Sequence, residues 1–310
     1  MIDDIDAAMG FAPDYDAAIP YMLRTREYYK AIGYTTPYRW AHYTSAPFSA
    51  LKKPLAQSRV TIVTTAAPYQ PGKGDQGPGA AYNGSAKFYQ VYDGGTSISH
   101  DTRISHIGYD RKHTTATDSG TWFPLPQLRR LAGEGRIGAV GPRFFGAPTN
   151  RSHRVTIETD APEILARCRE DGIDAAVVVP NCPVCHQSAS LTARHLEANG
   201  IATVVMGCAR DIVEHAGVAR FLFSDFPLGN SAGRPHDAAS QAFTLELALQ
   251  VLESAIAAQT TVQSPLRWSE DASWKLDFLN LEQIGAEELA RRRAEFDRQK
   301  ELARVNRVAA

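Results

Sequence analysis

No apolar stretch in the 310 residues approaches the ~20 needed to cross a bilayer. The first residues, Met-Ile-Asp-Asp-Ile-Asp, are acidic where a secretory leader is basic and then apolar. Both absences predict a cytoplasmic protein with no membrane partner. Neither sign of charge prevails: 33 Lys+Arg face 34 Asp+Glu, a formal net charge of −1, which argues against a nucleic-acid partner. Cysteine is scarce, with four residues, too few for a disulfide framework. No second Cys-x-x-Cys and no His pair at zinc-module spacing accompany the first. No Gly-Lys-Ser/Thr follows the glycines at 72–79, so a P-loop is absent. No internal repeat is visible. What remains is a chain long enough for one large domain, or two small ones, with a sizeable core.

What the chain does have is concentrated at residues 174–199. Ala175 to Val179 is a short continuous apolar run rich in valine, the pattern of a strand buried on both faces. Pro180 ends it. From His186 the apolar period changes: Ala189, Ala193 and Leu196 lie three or four apart, a helical face that stops at Asn199-Gly200. Cys182 and Cys185 therefore occupy a tight strand-to-helix turn, with Cys185 near the helix N-terminus. Free backbone N–H groups and the helix dipole favour a thiolate there. In open α/β sheets the same edge is where ligands bind.

Around that stretch the chain reads as an α/β domain over 59–257, flanked by an N-terminal arm (1–58) and a C-terminal helical tail (258–310). A helix is expected from Asp14 to Tyr29, then an aromatic-rich segment: Tyr34, Tyr38, Trp40, His42, Tyr43 and Phe48. These rings either pack the arm onto a neighbour or wall the site. Arg59 to Thr65 is a β-branched strand. The insertion at 67–121 is too long for an ordinary connection and is expected to be a substrate-contacting lid. Strands follow at Ile137–Phe145, Ile201–Met206 and Phe221–Phe223. Helices are expected at Pro126–Ala132, from an Asp160 cap to Asp171, at Asp211–His215, over 237–257 with Phe243, Leu247, Leu252 and Ile256 broadly on one side, and at Ala286–Val305. The alternation predicts a doubly wound, mostly parallel sheet. Leu289, Phe296 and Val305 give the last helix a thin apolar seam, and the terminal helices are expected to make a homo-oligomer.

Pro180-Asn-Cys182-Pro-Val-Cys185-His186-Gln187, then Asp225-Phe226-Pro227-Leu228-Gly229, Gly233, Pro235, Asp237 and Gln241, resemble the selenocysteine- or cysteine-bearing subunit of D-proline reductase, within the glycine, sarcosine, betaine and D-proline reductase B-subunit family. Arg103-Ile104-Ser105-His106, Tyr109-Asp110 and Glu134-Gly-Arg-Ile137-Gly138 are similar to it too. The resemblance covers residues 59–256. It implies reductive cleavage of a carbon–heteroatom bond, C–N or C–S, by an oxidoreductase that binds no cofactor of its own. Electrons would come from an external dithiol, thioredoxin-like or small. It carries the selenocysteine role to Cys185, where this chain has sulfur. The relatives' pyruvoyl group has no self-cleaving precursor here. Either a partner supplies an electrophile or the chain acts alone on an activated small molecule.

On that reading Cys185 is the nucleophile, Cys182 resolves the adduct as a disulfide, and His186 is a candidate acid–base group. Arg103, His106, Tyr109 and Asp225 are candidate substrate contacts, with Arg103 suited to a carboxylate of an anionic substrate. Other readings stay open. Cys182, Cys185, Cys208 and His186 could hold the zinc of a hydrolase. Cys182 and Cys208 could flank a Cα in a two-cysteine racemase or lyase. The pair could sense oxidation without catalysis, or be inert.

Overall fold

The computed structural model describes residues 16–34, 36–104, 106–150 and 152–309. Asp14 and Ser105, which figure in the expectations above, lie outside the described residues. The strands are β1 (Arg59–Thr64), β2 (Ala67–Pro68), β3 (Tyr92–Gly95), β4 (Thr102–Arg103), β5 (Ala139–Val140), β6 (Arg143–Gly146), β7 (Ala175–Val179), β8 (Ala202–Gly207), β9 (Arg220–Phe223) and β10 (Thr260–Gln263). The helices used below are α1 (Tyr21–Ala31), α2 (Leu125–Gly133), α3 (Ala161–Glu170), α4 (Pro183–Ala198), α5 (Arg210–Ala216), α6 (Ala238–Ser254) and α7 (Ala286–Ala309).

The main sheet runs β10-β9-β8-β7-β1-β6-β3, with β5 also pairing β1. Every pairing in it is parallel except β3 with β6. The path goes from β1 out to β6, returns across β1 to β7, and continues the other way through β8 and β9. The order therefore reverses between β1 and β7, and their carboxyl ends flank the crevice. Both faces are covered, as the all-apolar β7 requires. Ala175, Val177 and Val179 pack with Leu125, Leu128 and Leu131 of α2 and Leu245 and Leu249 of α6. Ala176 and Val178 pack with Ile164 of α3, with Ala189, Ala193 and Leu196 of α4 and with Val213 of α5.

Several boundaries differ from expectation, each for a local reason. Glycines at 138 and 141 and Pro142 break the strand expected at 137–145 into β5 and β6. Asp160 caps nothing. Ser152 accepts the Val155 N–H at 3.3 Å instead, and a π-turn at Thr156–Asp160 precedes Pro162, which has no N–H to donate. In α6 the buried side is Thr244, Leu245, Ala248, Leu249 and Leu252, whereas Phe243 is exposed and Ile256 lies beyond the helix in solvent. The domain limit at 257 falls before β10, which completes the sheet edge. The insertion is no simple lid either, since β3 joins the main sheet and β2 pairs β4. Both terminal helices pack on their own chain. Phe296 of α7 meets Tyr29 and Tyr34, and at Gly84 the α7 backbone approaches so closely that a Cβ would lie 2.3 Å from Gln299 O. No helix among the described residues is long and apolar enough to cross a membrane.

A buried ion pair fastens the N-terminal arm to this sheet. Glu197 of α4 and Arg220 of β9 meet at 2.8 Å, both fully enclosed. Burial pushes the Glu197 carboxyl up, offset by hydrogen bonds from the Ser49 N–H, Arg220 and Thr203. Arg220 also donates to Ser49 O and lies over the Phe48 ring. Replacing Arg220 by Met strands the carboxylate. Urea unfolding is expected to show a loss of about 3–5 kcal/mol. A loss below about 1 kcal/mol would mean that water reaches Glu197 in the native state.

Candidate active site

At the end of β7 the chain turns through Asn181 into α4, and Cys182 is the residue that caps the helix. Its Sγ accepts the Cys185 N–H at 3.2 Å. Proline at the first helical position and extended φ/ψ at Cys182 make this a regular N-terminus. The helix starts at Pro183, ahead of the apolar periodicity that announces it at His186. Cys182 and Cys185 are joined by a disulfide with Cα atoms 4.8 Å apart, within the range such bridges need. The two sulfurs are placed differently. Cys182 lines a cavity of about 500 Å³, while Cys185 is 0% exposed and takes a hydrogen bond from Thr149 Oγ1 at 3.5 Å. Of the two sulfurs, that of Cys182 receives the helix-terminal N–H, and Cys182 is the one in the cavity wall.

His186 lies behind this turn. Its Nδ1 is 2.7 Å from Cys182 O, and its Nε2 accepts the N–H groups of Cys208 at 2.9 Å and Ala209 at 3.2 Å. An acceptor at Nε2 fixes the proton on Nδ1, so the ring is neutral and both nitrogens are committed. Burial lowers its pKa to about 4. The ring packs so tightly on Gly207 that a Cβ there would sit 2.8 Å from it. The ring thus bridges the cysteine turn and the end of β8, and its nitrogens, expected to exchange protons, are both held by backbone groups.

His106 comes to the cysteines from the insertion. Its nearest ring nitrogen and the two sulfurs all lie within 4.8 Å of one another. Its Nε2 is 2.7 Å from Thr65 O at the end of β1, and burial lowers its pKa to about 4. The insertion therefore does fold over the cysteine turn, with Gly108 against Pro183. Arg111, outside the contacts expected from sequence, fixes that loop by donating to His106 O, Ile107 O and Ala80 O. Tyr109 is buried beneath the Arg111 guanidinium, 4.1 Å away, and lines the cavity.

The other expected contacts are elsewhere. Arg103 forks onto Asp101 at 2.5 and 2.8 Å beside Tyr69 and does not line the cavity. Asp225 pairs with the buried Lys275 of the C-terminal tail, a partner too distant in sequence to foresee. Cys208, pushed up to about 12 by burial, faces Ser231, so the four-ligand zinc set and the Cys182/Cys208 pair are not assembled. Two of the arm's aromatics reach the cysteine turn, where Tyr38 and Trp40 pack on Cys182, Val184 and Cys185, but neither lines the cavity. Of the cavity's walls, Asp110 is the notable one. Its Oδ1 accepts from Lys112 N and His113 N, while Oδ2 is buried with no hydrogen-bond partner among the described residues.

His106 and His186 are both held neutral, with folded pKa values of about 4, below the ~6.5 of an unfolded chain. The unfolded state therefore takes up protons first as pH falls. Stability is full above about 6.5 and declines toward 4, by roughly 2 kcal/mol at pH 5 for each ring. Urea midpoints measured between about pH 7.5 and 5 are expected to fall, and His186→Gln to flatten part of the decline. A level profile in the wild type would contradict the burial of these rings.

Over 192 residues the chain is 29% identical to the D-proline reductase subunit gamma of Acetoanaerobium sticklandii, a match covering 61% of this chain and 76% of that protein. It is 23% identical over 235 residues to the glycine reductase complex component B subunit gamma of Peptoclostridium acidaminophilum, covering 74% of this chain and 53% of the relative. The subunit of the same name from Carboxydothermus hydrogenoformans is 23% identical over 238 residues, covering 74% and 54%. The chain spans about half the length of these glycine reductase subunits. No family model and no solved structure matches it. With its cysteine turn at the switch point of a doubly wound sheet, the chain is a homologue of the gamma subunits of D-proline reductase and of glycine reductase component B.

Proposed function

We propose that the chain is a thiol-dependent reductase that cleaves a carbon–heteroatom bond of a small substrate through Cys182 and Cys185. The observation that carries this reading is the Cys182–Cys185 pair itself, capping α4 at the β1/β7 crevice with one sulfur in the wall of the cavity. The names of the relatives support a reductase. Free Cys168 and Cys208 are buried and pushed up to about 12, so neither competes for that role.

The reduced pair meets a substrate whose reacting carbon carries a heteroatom and adjoins a carbonyl. The Cys182 thiolate, favoured by the helix N-terminus, displaces the heteroatom, which leaves with a proton, and a C–S bond forms. The Cys185 thiolate then attacks the Cys182 sulfur. The S–S bond forms, the C–S bond breaks, and the electron pair passes to the carbon, where the carbonyl delocalises it until a proton arrives. Substrate and two thiols thus become a C–H product, the protonated leaving group and a disulfide. An external dithiol, thioredoxin-like or small, returns the pair to thiols and is itself oxidised. A second subunit, of the kind the relatives' names imply, would supply any further electrophile.

The substrate fits an amine better than the anion expected from Arg103, whose guanidinium is spent on Asp101. Asp110 lines the cavity, and its enclosed Oδ2, with no hydrogen-bond partner among the described residues, would turn toward a bound ammonium group to meet it. Burial pushes the Asp110 carboxyl up, against the opposing pull of His113 and the backbone N–H groups, and a bound cation would reverse that.

Cys182→Ala and Cys185→Ala are each expected to lower reductive turnover at least ~100-fold. The decisive comparison is intact mass after a single turnover. Cys185→Ser is expected to hold the substrate as an adduct on Cys182. An adduct that accumulates on Cys185 in Cys182→Ser, and none in Cys185→Ser, would exchange the two roles.

A further inference from the structure

We propose that, once reduced, Cys182 and Cys185 join His106 in a site for a thiophilic divalent cation such as zinc, with its fourth position open to the cavity. The ligand atoms of these three residues, and of no other such group among the described residues, lie within 4.8 Å of one another. Two thiolates, an imidazole and one open position are a donor set that zinc accepts.

The imidazole is already set for this. Thr65 O can only accept, so Nε2 of His106, 2.7 Å away, carries the hydrogen and Nδ1 keeps its lone pair. A ring nitrogen donating to a backbone carbonyl is the usual support of a metal-binding histidine. Each sulfur has a donor that favours the thiolate: the Cys185 N–H for Cys182 and the Thr149 hydroxyl for Cys185. Cys182 and His106 both line the cavity, so the open position faces the space where a small molecule or water can enter.

Disulfide and metal use the same two sulfurs and exclude one another. A phosphine reduces the bridge, taking oxygen from water to become its oxide and leaving two thiols. The cation then displaces two thiol protons to solvent. This site does not depend on the reductase reading: a chain that binds the ion but reduces nothing keeps this inference and loses the other.

The test is an anaerobic titration of the phosphine-reduced chain with cobalt(II), followed by displacement with zinc(II). Thiolate-to-cobalt charge-transfer bands and tetrahedral d–d bands are expected, saturating at one ion per chain. The disulfide form should give neither. His106→Ala should weaken binding at least ~10-fold. His106→Gln, which can still donate to Thr65 O and so preserves the loop, should weaken it likewise. Absence of charge-transfer bands in the reduced wild type, or undiminished affinity in both His106 variants, would overturn the proposal.

Discussion

The parallel pairing of β1 with β7 is the constraint on which the site depends. Five register pairs, from Val60 with Ala175 to Thr64 with Val179, bring the two carboxyl ends side by side. The chain leaves β1 in one direction and β7 in the other, so the segments that extend from the two strands meet over the crevice, and α1 and α7 of the two arms complete the cavity wall. After β1 comes the insertion that carries His106, and after β7 the turn that carries the cysteines. Thr65 and Asn181, near the ends of the two strands, touch at 3.2 Å between amide and hydroxyl.

Everything else at the site holds that meeting in place. His186 ties the cysteine turn to the end of β8, and the Ser231 hydroxyl donates to Pro180 O at 2.6 Å from the loop after β9. The insertion is tied to the same loop through Asp110 N and the Thr114 hydroxyl, both donating to Leu228 O. Gln187 of α4 accepts from Ala41 N and donates to Tyr38, which docks the N-terminal arm against the cysteines. These bonds are buried or half-buried, so each is expensive to leave unmade. The cysteine turn consequently rests on a rigid frame, and the arms close what the bare sheet leaves open.

The core of this arrangement is legible in the sequence because local signals decide it. The valine run of β7, Pro180, and the helical spacing from Ala189 to Leu196 place the cysteines at a strand-to-helix turn without any tertiary knowledge. The motifs beyond the turn point to the right relatives. Legibility ends where long-range partners decide. Lys275, 50 residues along the chain, cannot be foreseen for Asp225, and even the local turn of Arg103 onto Asp101 is hidden, because a two-residue strand has too short a period to read. His186 shows a subtler limit. A histidine beside a reactive cysteine suggests proton transfer, but its first helical turn aims the ring at the end of β8. Arg111 stands one residue beyond the Tyr109-Asp110 motif, and an arginine inside a long loop is a signal that could flag a loop clamp. The register of α6 misleads because Phe243 and Ile256 are apolar yet exposed, while Ser240 and Thr244 are buried.

The central claim is that Cys182 and Cys185 cycle between disulfide and dithiol while Cys168 and Cys208 stay reduced. Equilibration in dithiol/disulfide buffers of graded potential, followed by acid quench, denaturation and thiol labelling read by mass, tests this directly. The account predicts a single two-electron transition, with labels appearing on Cys182 and Cys185 together and Cys168 and Cys208 labelled throughout. A bridge that stays closed, or thiols that stay free, at every potential that dithiol donors reach would contradict it.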